Sequence, residues 1–443
     1  MLVRGVLIDT PDDPFRGGAL RVEEDGALFV DAGVIRERGP WATIAPRHRD
    51  AEQLDLRGGL VLPGFVDTHV HFPQVRVVGG LGMPLLEWLE RCALPEEARL
   101  ADAAYAQGVA RDFVSGLVQA GTTSALVFGS HFAPAVDALF DEAQRVGLRV
   151  TAGLVLADRV LRDDLLTTPE RALAESRELA ARWHGHGRLR YAVTPRFSLS
   201  ASDELLGVCA QLAAEVPGAM VTSHLNENPD EIDQVGRAFP GAAHYLDSYD
   251  RHGLVGPRTV LAHDVHPRDA ELTVLAARGA AVAHCPTSNA ALGSGLFPLR
   301  RHLDAGVAVA LGSDVGAGTG FSLLKEGLQA LFHQQLLGPE GRPLRPAHLL
   351  HLVTRAGARA LGLDETVGDL GVGRSFDAVW MRPTHGTTAD VVMRHAPDAE
   401  SALAAAFALG TSADTAGVWV AGRRLHTRSR PRCAPSGPVE PPS

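Results

Sequence analysis

The sequence predicts an α/β protein: a (β/α)8 TIM-like barrel flanked by a small β domain that both chain ends build. Three observations carry that expectation. From about residue 59, eight short apolar runs recur, most followed by an Ala-, Leu- and Arg-rich stretch of helical period. Short apolar stretches broken by turns precede these repeats, and the same style returns after about residue 368. At 443 residues the chain also exceeds the usual size of one hydrophobic core, so two structural units are expected.

Taken in order, MLVRGVLID, ALRVEEDGALFVDAGVI and GPWATIAP within residues 1–58 have the spacing of a small antiparallel β unit. The eight strand candidates follow in 59–367: LVLPGFVDTHVH, TTSALVFGSH, RVTAGLVLAD, LRYAVTPRFS, AMVTSHLNE, TVLAHDVH, AAVAHCPTSN and VAVALGSDVG. Continuous apolar strands joined by helical crossovers imply a parallel sheet buried on both faces, and eight such repeats fit a closed barrel. A doubly wound open sheet would place a Gly-rich phosphate turn after its first strand, and none is present. FDAVWMRP and AGVWVAGRRLH, in 368–430, complete the β domain begun by the N-terminus. The end of the chain, PRCAPSGPVEPPS at 431–443, is too rich in Pro and Ser to pack and is expected to be disordered.

Composition narrows the function. The chain is 45% hydrophobic and 21% charged, as for an ordinary globular protein, and its net charge of −10 argues against a nucleic-acid surface. No apolar run approaches the length of a membrane span, and MLVRGVLIDTPDD lacks the apolar stretch of a signal peptide. Cys92, Cys209, Cys285 and Cys433 are far apart and form no CxxC pair, which points to a reduced, cytoplasmic protein without disulfides. Lys325 is the only lysine.

Polar chemistry stands at the C-terminal ends of the strand candidates, where a barrel builds its site. His69 and His71, at i and i+2, fall on one face of the first strand. The fifth strand ends in His224 with Glu227 beyond it, the sixth in His263 and the eighth in Asp314. Any one of these could be an ordinary capped strand end. Charged and imidazole groups converging on one barrel mouth are costly to desolvate unless they bind something. Three histidines and an aspartate suit zinc or ferrous iron. His284, closing the seventh strand, either supports that set from behind or serves only the fold.

PGFVDTHVHFPQ, TPRFSLS, SHLNEN, LAHDVH, HCPTSN and LGSDVG, in this order, resemble the amidohydrolase superfamily. HFPQ, LLEWLERCALPEEAR and TPRFSLS narrow the resemblance to its zinc-dependent guanine deaminases. The resemblance runs from about residue 58 to 375 and resumes at VAGRRLH. It implies one zinc ion per chain, with iron as the alternative, held by His69, His71, His224 and Asp314. It makes Glu227 the proton-shuttling acid, His263 the histidine facing the attacking water and Asp314 the base. Gln74, Arg196 and Phe197 would hold the purine, with Trp88 as a pocket wall and His71 and Glu227 also against the substrate. Arg196 would donate to O6 of guanine; the competing reading pairs it with a carboxylate at the barrel rim. The nearest alternatives in function are deaminases or hydrolases acting on 8-oxoguanine, an adenosine derivative or a triazine, and a more distant one is a non-catalytic scaffold. A homodimer is the expected assembly.

Two departures from the superfamily's patterns bear on this. The usual Lys-Ala-Asp before the returning β domain is replaced by Arg374-Ser375-Phe376-Asp377. Two-metal members bridge their ions with a carbamylated lysine on a mid-barrel strand, whereas Lys325 lies beyond Asp314 and outside every strand candidate. A lysine-bridged pair is excluded.

Overall fold

The structure is a computed structural model describing residues 1–428. The expected disordered tail, 431–443, lies outside the described residues. Four strands open the chain: β1 (Leu2–Asp9), β2 (Arg21–Asp31), β3 (Val34–Pro40) and β4 (Gln53–Pro63). β1 pairs antiparallel with β2, and β2 with β3, but β1 and β4 run parallel. The N-terminal unit is therefore mixed rather than antiparallel. The cause is the connection after β3, where the helix Trp41–Ile44 and the 3-10 turn Ala45–Arg47 carry the chain back before β4 enters. Parallel neighbours need such a crossover; a tight hairpin cannot join them.

The run LVLPGFVDTHVH, expected as one strand, is two. β4 stays in the small sheet to Pro63, past the expected limit at residue 58, and β5 (Phe65–His71) begins the barrel. Gly64 separates them: its N–H donates to Asp377 O at 2.9 Å, and a Cβ there would stand 2.1 Å from Thr123 Oγ1. Only a residue without a side chain passes so close between the two sheets.

The barrel continues through β6 (Thr122–Phe128), β7 (Arg149–Gly153), β8 (Val155–Leu156), β9 (Leu189–Pro195), β10 (Met220–Leu225), β11 (Thr259–His263), β12 (Ala281–His284) and β13 (Ala308–Leu311). The order is β5-β6-β7-β9-β10-β11-β12-β13, parallel throughout, with β8 on β9 as the outer continuation of β7. Every residue of β5 and β6 is buried, as expected of parallel strands covered on both faces. The last strand meets the first just beyond β13, where Asp314 N–H donates to His69 O at 2.9 Å and His71 N–H donates to Val315 O at 3.1 Å. At the opposite end, Ala358 and Leu361 pack with Val66, Met220 and Val260, so the helix Arg355–Ala360 plugs the bottom.

The small sheet is completed by β14 (Ala378–Met381), β15 (Thr415–Val420) and β16 (Arg423–Thr427), in the order β16-β15-β14-β4-β1-β2-β3. Two helices, Thr388–Arg394 and Ala399–Leu409, interrupt this part of the chain, where a β domain throughout is expected. The second is rich in Ala and Leu and is capped by Asp398, which accepts from Ser401 N–H at 2.7 Å. Arg149 of β7 donates to Asp377 at 2.7 Å, and Ser375 Oγ and Ala421 N–H donate to the same carboxylate. The divergent Arg374-Ser375-Phe376-Asp377 segment thus keeps the aspartate that ties sheet to barrel, with Phe376 in the small sheet's core. Among the described residues no helix is long and apolar enough to cross a membrane.

Gly64→Ala should destabilise the fold by about 1–3 kcal/mol through overpacking. Gly241→Ala, where an added Cβ meets nothing within 4 Å, should stay within about 0.5 kcal/mol of the parent. Equal denaturation midpoints for the two variants would refute the close-passage argument.

Candidate active site

Five side chains meet at the C-terminal mouth of the barrel. His69 and His71 project from β5, His224 from β10 and His263 from the last position of β11; Asp314 follows β13. His71 Nε2 lies 3.2 Å from His69 Nε2 and 3.3 Å from His224 Nε2. Asp314 Oδ1 lies 3.3 Å from His69 Nε2 and 3.1 Å from His71 Nε2. Ligands bonded tetrahedrally at about 2.0–2.1 Å stand roughly 3.3–3.4 Å apart, so these spacings are those of donors sharing one ion. His263 Nε2 is more distant, 3.9 Å from Asp314 Oδ2 and 3.5 Å from Glu227 Oε2, although it too could reach an ion placed beside His69 and Asp314.

The environment prepares these groups. Burial pulls the His69 imidazole down to about 4 and holds that of His224 well below its ordinary value, so both are neutral lone-pair donors at pH 7. His224 Nδ1–H donates to the Arg196 carbonyl at 2.5 Å, which leaves Nε2 free for the ion. His263 Nδ1–H donates to Asn289 Oδ1 at 3.0 Å and turns its own Nε2 to the mouth in the same way. Asn226, His263, Asp264 and Asp314 all have positive φ, a conformation that costs a non-glycine residue free energy. The strain is concentrated where the strands end and the donors must turn inward.

Two carboxyl groups at the mouth are driven in opposite directions. Burial works against the charge of Asp314, but the neighbouring imidazoles of His69 and His71 overcome it and hold the group well below the usual carboxylate range. Glu227, 3% exposed, is raised well above its ordinary value by burial and the charge of Asp314, which outweigh the Arg196 guanidinium. The two carboxyls therefore differ in proton affinity, Glu227 holding a proton more tightly than Asp314.

Beside them lies a small cavity of about 30 Å³ lined by Leu85, Leu89, Arg196, Phe197, His224 and Glu227. Arg196 follows β9 and is paired, though not with a carboxylate on the rim. Its Nη1 donates to Glu97 Oε1 and Oε2 at 2.9 and 2.7 Å, deep in the wall. Gln74 sits on the 3-10 turn Phe72–Gln74, which Pro73 initiates, and donates to Glu97 at 2.7 Å. Trp88 stands behind Leu85 in an apolar cluster with Ala93, Leu292 and Ala317. His284 belongs to neither group of convergent donors and stacks on Phe297 with ring centroids 4.2 Å apart. Sequence reasoning missed Glu97, Asn289, Leu85 and Leu89. The only signal for Glu97 was the LLEWLERCALPEEAR stretch, which offers several carboxylates and no means of choosing among them.

The chain matches the amidohydrolase family over residues 60–425. The Deinococcus radiodurans protein named "Probable guanine deaminase" is 61% identical over 433 residues, which cover 96% of this chain and 99% of that protein. Among solved structures, E. coli guanine deaminase superposes with a TM-score of 0.93 at 38% identity, covering 97% of this chain and 100% of that one. A guanine deaminase from C. acetobutylicum, with guanine bound in its active site, superposes at 0.88 with 27% identity, covering 96% and 99%.

The donor geometry predicts about one divalent transition metal per chain. His224→Ala or Asp314→Ala should abolish tight binding, whereas His284→Ala should retain it, as elemental analysis after dialysis would record. Loss of metal in the His284 variant would place that histidine in the set.

Proposed function

The chain belongs to the amidohydrolase family, and we infer that within it the protein catalyses the hydrolytic deamination of guanine to xanthine and ammonia. One observation carries the chemistry: Glu227 lines a small cavity beside Asp314 and three convergent imidazoles, and its proton affinity is raised where that of Asp314 is lowered. The relatives that share nearly the whole chain are named for this activity, which supports guanine as the substrate.

The reading assigns a single zinc ion to His69, His71, His224 and Asp314; their spacing and the neutral state of His69 and His224 support it. Bound there, zinc supplies acidity, lowering the pKa of water from about 15.7 to about 7. Asp314, held ionised, takes a proton from the attacking water. His263, oriented by Asn289, presents Nε2 to the same water and fixes its direction of approach. Glu227 holds the proton needed at N3 as water oxygen adds to C2 of guanine. The carboxylate left behind takes the proton of the new C2 hydroxyl and delivers it to the departing amine, and the proton held by Asp314 then returns Glu227 to its acid form. Its position across from His263 Nε2, at 3.5 Å, suits that transfer. Arg196 offers donors for O6, and Phe197 closes one side of the ring site.

We propose a cytoplasmic setting as well, which the free Cys92, Cys209 and Cys285 support. A homodimer is the assembly proposed with it: Phe332 and Leu336, one turn apart on the helix Leu323–Leu336, are exposed as on a covered face.

The decisive assay is ammonia release from guanine, 8-oxoguanine, adenine, cytosine and melamine, run on wild type and Glu227→Gln. Guanine should be the preferred substrate, and the variant should keep its metal while losing roughly 10²–10⁴-fold in kcat. Preference for another compound would overturn the substrate, and near-wild-type turnover by the variant would overturn the role of Glu227.

A further inference from the structure

Glu97 belongs to none of the strands that carry the donor set. It comes from the helix Leu94–Ala98 and is 1% exposed. Three groups surround its carboxylate: Arg196 Nη1 on both oxygens, Gln74 Nε2 on Oε1, and His131 Nε2 at 3.2 Å from Oε2. Burial opposes its charge, but Arg196, His131 and Gln74 hold it far below the usual carboxylate range. A buried carboxylate needs partners of this kind. That need explains why Glu97 is paired, yet not what its partners are left to do on their other sides.

Both Arg196 bonds use the same nitrogen, so Nε and Nη2 make no hydrogen bond to the described residues, and Arg196 lines the cavity with Glu227. An ionised carboxylate only accepts. Gln74 must therefore turn its amide NH2 towards Glu97, which commits the amide oxygen to the opposite side. That oxygen, Oε1, is buried without a donor. Next to it stands Gly316, where a Cβ would lie 3.1 Å from Oε1.

We propose that Glu97 is the positioning residue that sets the pocket's recognition code: by holding Arg196 and Gln74 together, it makes the wall present fixed donors beside a fixed acceptor, the complement of a ring lactam. In a lactam the C=O accepts and the adjacent ring N–H donates, as O6 and N1–H of guanine do. An amidine edge reverses both, so a 6-aminopurine would set its amino group against the guanidinium and its bare N1 against Gln74 Oε1. The proposal rests on the guanine reading and deepens it. Charge on Glu97 is essential to it, because a neutral amide in its place could accept or donate, and Gln74 could then turn either end to the substrate.

The test is calorimetric binding of two compounds the enzyme cannot deaminate: hypoxanthine, which keeps the lactam edge, and unsubstituted purine, which lacks it. Glu97→Gln should weaken hypoxanthine by about 10- to 100-fold and purine by less than about 3-fold, with metal content unchanged. Equal losses on the two ligands, or none, overturn the proposal, as does a wild type that binds hypoxanthine no tighter than purine. Should Glu97→Gln fail to fold, Glu97→Asp, which keeps the charge but withdraws it, decides by the same ratio. There a loss of at least about 5-fold in preference for hypoxanthine is expected, and an unchanged ratio overturns the assignment. The activity reading fails separately: a wild type that shows the lactam preference but releases no ammonia from guanine sinks the deaminase reading and leaves the code standing.

Discussion

Everything at the mouth depends on how the barrel closes. Asp314 N–H donates to the carbonyl of His69 across the seam between the last strand and the first, so the bond that joins the two ends of the sheet also brings two of the converging donors together. Asp67 reinforces it from below: one carboxyl oxygen accepts from both His69 N–H, at 3.2 Å, and Ser313 N–H, at 3.0 Å. Burial pushes that carboxyl up to about 7. Thr68 Oγ1 adds a bond to Leu311 O at 2.8 Å. Because the seam is held by backbone and buried side chains together, the donor spacing is a property of the sheet rather than of any flexible side chain.

Around this seam the protein tunes acidic groups by choosing their neighbours. Asp314, Glu227 and Glu97 are all almost fully buried, and burial alone would protonate each. The imidazoles of His69 and His71 lower Asp314 and the Arg196 guanidinium lowers Glu97, whereas Glu227 stays raised because burial and the charge of Asp314 outweigh Arg196. Three identical functional groups thus differ in proton affinity through their neighbours alone. Arg196 links the two halves of the site, since its carbonyl orients His224 while its guanidinium is held by Glu97.

The sequence by itself determined the architecture and which polar side chains gather at the barrel mouth. Strands buried on both faces read as unbroken apolar runs, and residues at their C-terminal ends must face the mouth, so His69, His71, His224, His263 and Asp314 were legible from period and position. Tertiary structure alone decided what depends on contacts between distant segments. The parallel entry of β4 beside β1, the break at Gly64 and the helices inserted after β14 follow from packing that apolar pattern does not encode. Glu97 was invisible for the same reason. Its helix reads as one of several acidic stretches, and only folding places its carboxylate between Gln74 and Arg196, where burial forces the pairing.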